Sequence, residues 1–150
     1  MRTIITSLAV GFLFLAVTAA NVAAHCEIPC GIYDDKLRAS LIYEHTVTIE
    51  KSIKKIAEIS KQNPVNYNQL IRWVSNKEEH ATIIQHLISQ YFMTQRIRPD
   101  TEKYIDKLSV LHKMLQAAMK CKQSTDLANI QTLRLLLKEF EILYFGQSHH

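Results

Sequence analysis

Apolar residues recur at spacings of three and four through most of the chain, which is the period of an amphipathic α-helix. Prolines and cap-forming residues divide this pattern into four segments. Pro64 separates the first two segments, Pro99 ends the second, and Ser124-Thr125-Asp126 precedes the fourth. The four apolar stripes are Ile42, Ile49, Ile53 and Ile56; Leu70, Val74, Lys77, Ala81, Ile84, Ile88 and Tyr91; Tyr104, Leu108, Leu111, Leu115 and Ala118; and Ile130, Leu133, Leu137, Phe140 and Tyr144.

The same residues predict where the helices begin and end. Asp34 or Asp35 can cap the first helix, and the second should start near residues 66–68. Because the residue before a proline avoids the α conformation, the second helix should end there, and Asp100 or Thr101 can open the third. The first two helices should each be about 28–30 residues long on this spacing.

Strand-like alternation does not compete with these stripes. Four amphipathic helices with connections of a few residues are typical of an antiparallel four-helix bundle, so the sequence predicts an all-α protein of that class. The long apolar faces of the first two helices exceed what one bundle buries, which indicates a homo-oligomer.

Residues 1–24 have the pattern of a secretory signal peptide. One arginine precedes an apolar run over 8–17, and the small side chains of Val22 and Ala24 suit a signal peptidase. The run is shorter than the roughly 20 residues that a membrane-spanning helix needs. We expect cleavage after Ala24, which leaves residues 25–150 as one domain with no membrane anchor.

Charge adds little to this prediction. The chain carries 18 Lys and Arg against 14 Asp and Glu, and they are scattered rather than clustered. Nucleic acid is therefore not an expected partner, although a mild positive balance helps to draw small anions towards the surface.

The leader predicts an exported protein, periplasmic or secreted. The alternative is an organelle or the cytoplasm after removal of a propeptide.

The candidate chemistry lies in the nine residues HCEIPCGIY that follow the predicted cleavage site. Cleavage before His25 would create a free α-amine beside an imidazole, an amide nitrogen and the thiolates of Cys26 and Cys30. Two nitrogens and two sulfurs suit square-planar Ni(II) or Cu(II), with the imidazole as an axial ligand. Pro29 and Gly31 can fold the loop so that both sulfurs face one point.

Two other interpretations fit these residues. Cys26 and Cys30 can form a small disulfide in a secreted helical binding protein. The same donors can also sequester copper or nickel without catalysis. Three features together favour a metal: the histidine beside Cys26, the predicted cleavage directly before that histidine, and an odd number of cysteines, which a closed disulfide framework cannot use in full. The third, Cys121, is expected to be a small buried hydrophobic residue of the third helix.

The stretch resembles the nickel hook of the nickel-containing superoxide dismutases, whose mature chains begin His-Cys-x-x-Pro-Cys-Gly-x-Tyr. Every fixed position is present. NKEEHA at 76–81 and QYF at 90–92 are similar to family segments of the second helix. The resemblance implies a four-helix bundle assembled as a homohexamer, with one nickel ion per subunit. It also implies superoxide as the substrate, converted to dioxygen and hydrogen peroxide by Ni(II)/Ni(III) cycling.

The resemblance assigns roles to single residues. It implies that His25 supplies the amine nitrogen and the axial imidazole. Cys26 would supply the amide nitrogen and one thiolate, and Cys30 the second thiolate. Tyr33 matches the hook tyrosine that lines the small-anion pocket, and Tyr91 matches a second one.

In the family a glutamate and an arginine hold the axial histidine. Here His80 stands where the arginine would be, and Glu44 or His45 corresponds to the glutamate. The remaining helical histidines, His86 and His112, are expected on the surface or at an interface.

Overall fold

The computed structural model describes residues 34–148 and residue 150, which form four α-helices in series. The described part of the chain contains no β-strand. None of its helices is both long enough and apolar enough to cross a bilayer. The helices are α1 (Asp35–Ile59), α2 (Tyr67–His86), α3 (Tyr104–Gln123) and α4 (Leu127–Phe145), and a π-helical segment, Leu87–Arg96, continues α2.

Contacts between the helices show that neighbours run in opposite directions. Along each contact the residue numbers rise on one helix as they fall on the other, which is the signature of antiparallel packing. Since α1 packs on α2 and α4, and α3 packs on the same two helices, the four form an up-down-up-down bundle. The paired residues are Ser52–Asn76 and His45–His80 for α1 and α2, Lys77–Cys121 and Gln85–Leu115 for α2 and α3, and Thr46–Arg134 and Asp35–Tyr144 for α1 and α4.

Three of the four helices begin at cap residues that the sequence predicted. Asp34 accepts a hydrogen bond from the Lys36 amide at 2.8 Å, and Asp126 accepts one from the Ala128 amide at 2.9 Å. At α2 the cap is Asn66, within the predicted start. Each side chain satisfies one of the backbone donors that a helix leaves open at its first turn.

The core consists of the predicted stripes of α1 and α4 packed on α2, its π-helical extension and α3. All four isoleucines of the α1 stripe are buried, as are the first four members of the α4 stripe. Tyr144, the fifth, is partly buried and packs its ring against Phe92 and Phe140. The predicted α2 stripe enters the core only from Lys77 onward, since Leu70 and Val74 stay partly or well exposed.

Two predictions about helix ends were wrong. α1 is 25 residues long, shorter than predicted. The third helix begins at Tyr104, after the predicted caps Asp100 and Thr101. The Thr101 hydroxyl accepts from the Arg98 amide at 3.0 Å, so it closes a local turn instead of capping a helix. Lys103 then takes a left-handed conformation at φ 55° before α3 starts.

The predicted core face of α3 was correct only in part. Tyr104, Leu108 and Leu115 are only partly buried. Leu111 and Ala118 of the predicted stripe are buried, as expected. The other buried positions lie one step round the helix, towards α2 and α4, and the small Ala117 among them lets the helices approach closely. The buried apolar residues of α3 are Val110, Leu111, Met114, Ala117, Ala118 and Cys121.

Lys77, which interrupts the predicted stripe of α2, is 3% exposed. Its Nζ donates to the carbonyl oxygen of Cys121 at 2.7 Å and to that of Lys122. These carbonyls belong to the last turn of α3, where a helix leaves its acceptors unpaired and its dipole favours a cation. The lysine therefore caps α3 from a neighbouring helix.

Replacing Lys77 with methionine is expected to lower the free energy of unfolding by about 2–3 kcal/mol, because buried carbonyl oxygens would lose their donor. Chemical denaturation followed by circular dichroism measures this. The matched control is Lys113→Met at an exposed position of α3, which should change stability by less than about 0.5 kcal/mol. Equal effects of the two substitutions would contradict the capping role.

Candidate functional site

The predicted site residues divide between two parts of the chain. His25, Cys26, Pro29, Cys30, Gly31 and Tyr33 lie outside the described residues. Tyr91, Glu44, His45 and His80 lie inside them. The first described residue, Asp34, directly follows Tyr33, so the start of α1 marks the place where the predicted hook joins the bundle.

A group of polar side chains surrounds this start of α1. Asp35, the first residue of α1, accepts hydrogen bonds from the hydroxyls of Tyr91 and Tyr144, the latter at 2.8 Å. It also accepts from Arg96 Nε at 2.8 Å. Arg96 in turn donates to the Tyr91 oxygen at 2.9 Å. We call these four residues the Asp35 cluster; it connects α1, the π-helical segment and α4.

Burial makes the two tyrosines of the cluster weaker acids than an exposed tyrosine. Tyr91 is 1% exposed, and its burial, followed by the hydrogen bond to Asp35, raises the pKa of its phenol. The pKa of Tyr144 is raised further, first by burial and then by the same carboxylate. Both phenols therefore stay neutral and keep their protons as donors to Asp35.

Two guanidinium groups flank the Tyr91 ring. The guanidinium carbon of Arg96 lies 4.8 Å from the ring centre, and that of Arg38 lies 5.5 Å from it. Cations at these distances are attracted by the face of an aromatic ring. Arg96 is at the same time paired with the Asp35 carboxylate at 2.8 Å, so its charge is compensated within the cluster.

His45 and His80 form a separate pair between α1 and α2. Their Nδ1 atoms lie 2.7 Å apart, so one ring donates and the other accepts. Burial, and then the neighbouring His80, lower the pKa of His45 below its ordinary value of 6.5. Ten positions of α1 separate His45 from Asp35, a distance of about 15 Å along the helix. The structure therefore pairs His45 with His80 but does not bring them to Tyr91, and Glu44 beside them is exposed.

The histidine pair should make the bundle less stable as the pH falls. Below about pH 6.5 the unfolded chain takes up a proton at residue 45 that the folded chain resists, so the free energy of unfolding should drop between about pH 7 and pH 5. Denaturant titrations at several pH values measure the slope. His45→Gln should flatten it, whereas His112→Gln, at an exposed position, should not. Equal slopes in both variants would contradict this assignment.

Sequence patterns missed most of the Asp35 cluster. Asp35 was an alternative cap, Tyr144 was a core position, and Arg96 had no role. A usable signal was present, because a tyrosine at a core position needs a partner for its hydroxyl. Tyr91 and Tyr144 both occupy such positions, so there was reason in the sequence to look for a shared acceptor.

The prediction that Cys121 is a small buried residue of the third helix is confirmed, since it is a free thiol with 0% exposure.

Within residues 34–148 and 150, His, Cys, Asp and Glu side chains form no group of three that could hold a metal ion.

The fold and the polar cluster together define an all-α four-helix-bundle protein with a polar site at the end where its N-terminal segment joins. Comparison with known proteins makes this class specific. The family model for nickel-containing superoxide dismutase matches residues 20–148.

A curated relative, superoxide dismutase [Ni] of Streptomyces seoulensis, is 32% identical over 115 residues, which cover 74% of this chain and 78% of that protein. The chain therefore belongs to the nickel-containing superoxide dismutase family. It is an oxidoreductase that acts on superoxide, and nickel is its cofactor. The comparison with solved structures found no match.

Proposed function

We propose that the mature enzyme begins at His25 and holds one nickel ion per chain with the hook HCEIPCGIY. The observation that carries this proposal is the position of the hook, which directly follows a predicted leader and lies inside the segment that the family model matches. His25 and Cys26 would supply the amine, amide and imidazole nitrogens. Cys26 and Cys30 would supply the two thiolates.

The donor set fits nickel on chemical grounds. Thiolate and deprotonated amide donors suit Ni(II), and they lower the potential of the Ni(III)/Ni(II) couple into the range that superoxide chemistry needs. Nickel bound in this way supplies one-electron redox chemistry. Dismutation converts two superoxide anions and two protons into dioxygen and hydrogen peroxide, so the protein must attract an anion and let protons reach it.

The residues of the chain serve these two needs. The net charge of +4 on the chain favours the approach of an anion. Tyr33 orders water and substrate beside the hook and Tyr91 orders water, with Pro29 and Gly31 shaping the loop. In the described geometry the single proton of the Tyr91 hydroxyl is donated to Asp35, so Tyr91 offers its oxygen rather than its proton to other groups.

Glu44, His45 and His80 remain candidates for orienting the axial imidazole of His25. The contact between His45 and His80 uses the Nδ1 atom of each ring. Only their Nε2 atoms can therefore serve a second partner. The support for this part of the proposal is the match of His80 to the arginine position of the family.

We also propose a homohexamer and an exported location, periplasmic or secreted, with an organelle or the cytoplasm after propeptide removal as the alternative. Support for association comes from apolar side chains that the single chain leaves exposed. Tyr67 and Ile71 on one face of α2 are 68% and 65% exposed, and Leu135 on α4 is 69% exposed. Tyr67 and Ile71 lie four positions apart on α2, and exposed apolar side chains on one helix face commonly mark a subunit contact. The mass of the protein in solution tests this part of the proposal.

The experiment that tests the proposed site is metal analysis of the processed protein together with a superoxide-consumption assay. One nickel per chain with dismutase activity is the expected result. A Cys26–Cys30 disulfide without nickel would instead support an N-terminal anchor. Bound metal without turnover would support sequestration.

A further inference from the structure

Asp35 occupies a special place in the chain. It is the first residue of α1 and lies two positions after Tyr33, the last residue of the proposed hook. The capping of α1 does not depend on it, because Asp34 accepts the hydrogen bond from the first turn. The side chain of Asp35 is instead directed towards the π-helical segment and α4, where it accepts from three donors.

The hydrogen bond between Asp35 and Tyr91 also sets the orientation of the Tyr91 hydroxyl. A phenol has one proton and can rotate it about the bond between its ring and its oxygen. Here that proton is donated to Asp35, while Arg96 donates to the same oxygen at 2.9 Å. A donor on one side and an acceptor on the other leave the hydroxyl one orientation. The carboxylate therefore determines which way the Tyr91 hydroxyl points.

We propose that Asp35 is a positioning residue for dismutation: its carboxylate orients the Tyr91 hydroxyl and anchors the point where the hook enters α1. This inference rests on the proposed function, in which Tyr91 lies beside the nickel hook. The carboxylate does not touch the reacting atoms. It acts through Tyr91 on one side and through the chain from Asp34 to Tyr33 on the other.

Two further observations support this role. Arg96 and Tyr144 clamp the carboxylate from two other elements, each at 2.8 Å, so Asp35 is held rather than mobile. The same carboxylate adds to burial in raising the pKa of the Tyr91 phenol, which keeps the proton on Tyr91. A held acceptor and a neutral donor are what a fixed hydroxyl requires.

The chain supplies a matched control for the test. Asp35→Asn removes the charge and turns half of the acceptor into a donor, with little change of shape. Asp34→Asn removes a charge at the neighbouring residue and preserves the cap, since asparagine caps helices as well as aspartate does. Both variants are compared with the unsubstituted protein, trimmed to begin at His25 and loaded with nickel.

Asp35→Asn is expected to keep its nickel and its helical circular dichroism but to lose between about tenfold and a hundredfold in activity, the scale of loss that a displacement of about 1 Å at a site can cause. Asp34→Asn should retain full activity. In the metal-free protein, nuclear magnetic resonance of isotope-labelled tyrosine should show a lower Tyr91 pKa in Asp35→Asn than in Asp34→Asn. This readout needs neither nickel nor turnover.

A double-variant cycle separates positioning from a purely structural role. If Asp35 acts through Tyr91, then Asp35→Asn should cost little further activity in a Tyr91→Phe background. Additive losses, equal activities in the two aspartate variants, or loss of the helical signal in Asp35→Asn alone would each overturn the proposal. The unsubstituted protein tests the proposed function by itself, because its nickel content and activity do not depend on either variant.

Discussion

A chain that keeps Ala24 in front of His25 is expected to fold as the same helical bundle and to show no superoxide dismutation. The extra residue converts the α-amine of His25 into a peptide nitrogen, which is a poorer donor in a different place. The described bundle begins at Asp34, well after the change, so its helices should be unaffected. Activity, the electron paramagnetic resonance signal of Ni(III) and circular dichroism measure the three expectations.

The control for this experiment adds one alanine after His150 instead. That chain has the same composition and should match the trimmed protein in activity and in its nickel signal. Equal activity in the chains with and without Ala24 would show that the amine is not a ligand. A disulfide anchor or a plain helical binding protein would not respond to the extra residue.

Replacing Cys26 or Cys30 with serine should reduce dismutation to the background rate and leave the bundle folded. Each change removes one of the two proposed thiolates, and an alcohol is a far weaker donor to nickel. Both residues precede Asp34, the cap of α1, so the helical signal and the denaturation midpoint should stay close to those of the unsubstituted protein.

Cys121→Ala is the matched control for these variants. Cys121 is 0% exposed, and burial raises the pKa of its thiol to about 11, so it stays protonated and is not a metal ligand. Its loss should leave activity and nickel content unchanged and lower stability by about 1 kcal/mol. Retained activity in either serine variant, or lost nickel in Cys121→Ala, would contradict the assignment of the thiolates.

The parts of the fold that the sequence predicted correctly depend on local physical rules. Asp34 and Asp126 cap their helices because short oxygen-bearing side chains reach the open amides of a first turn. The stripe from Ile42 to Ile56 is buried because a regular spacing fills one face of a helix. Neither inference needs knowledge of the other helices.

The wrong predictions about α3 show where local rules stop. Thr101 is a good cap residue, but its hydroxyl closes the turn that begins at Arg98. Two overlapping stripes on α3 have helical spacing, and only packing against α2 and α4 chooses between them. The π-helical segment Leu87–Arg96 was also missed, since its residues favour an ordinary α-helix equally well.

The Asp35 cluster was beyond sequence reasoning for a related reason. Its tyrosines lie 56 and 109 residues from Asp35, and the bundle topology alone brings them together. The hook stays a prediction, and it could be made from sequence because its proposed donors lie within six residues, so that one motif contains the whole donor set. A motif can propose a donor set that is local in the chain, whereas side-chain contacts that cross helices follow only from the fold.

X-ray absorption at the nickel edge of the trimmed, nickel-loaded protein tests the central claim most directly. This measurement identifies the atoms bound to the metal without relying on turnover. The hook assignment requires two sulfur donors, from Cys26 and Cys30, together with nitrogen donors from His25 and the Cys26 amide. A nickel ion surrounded by nitrogen and oxygen alone would contradict the claim that the hook holds the metal.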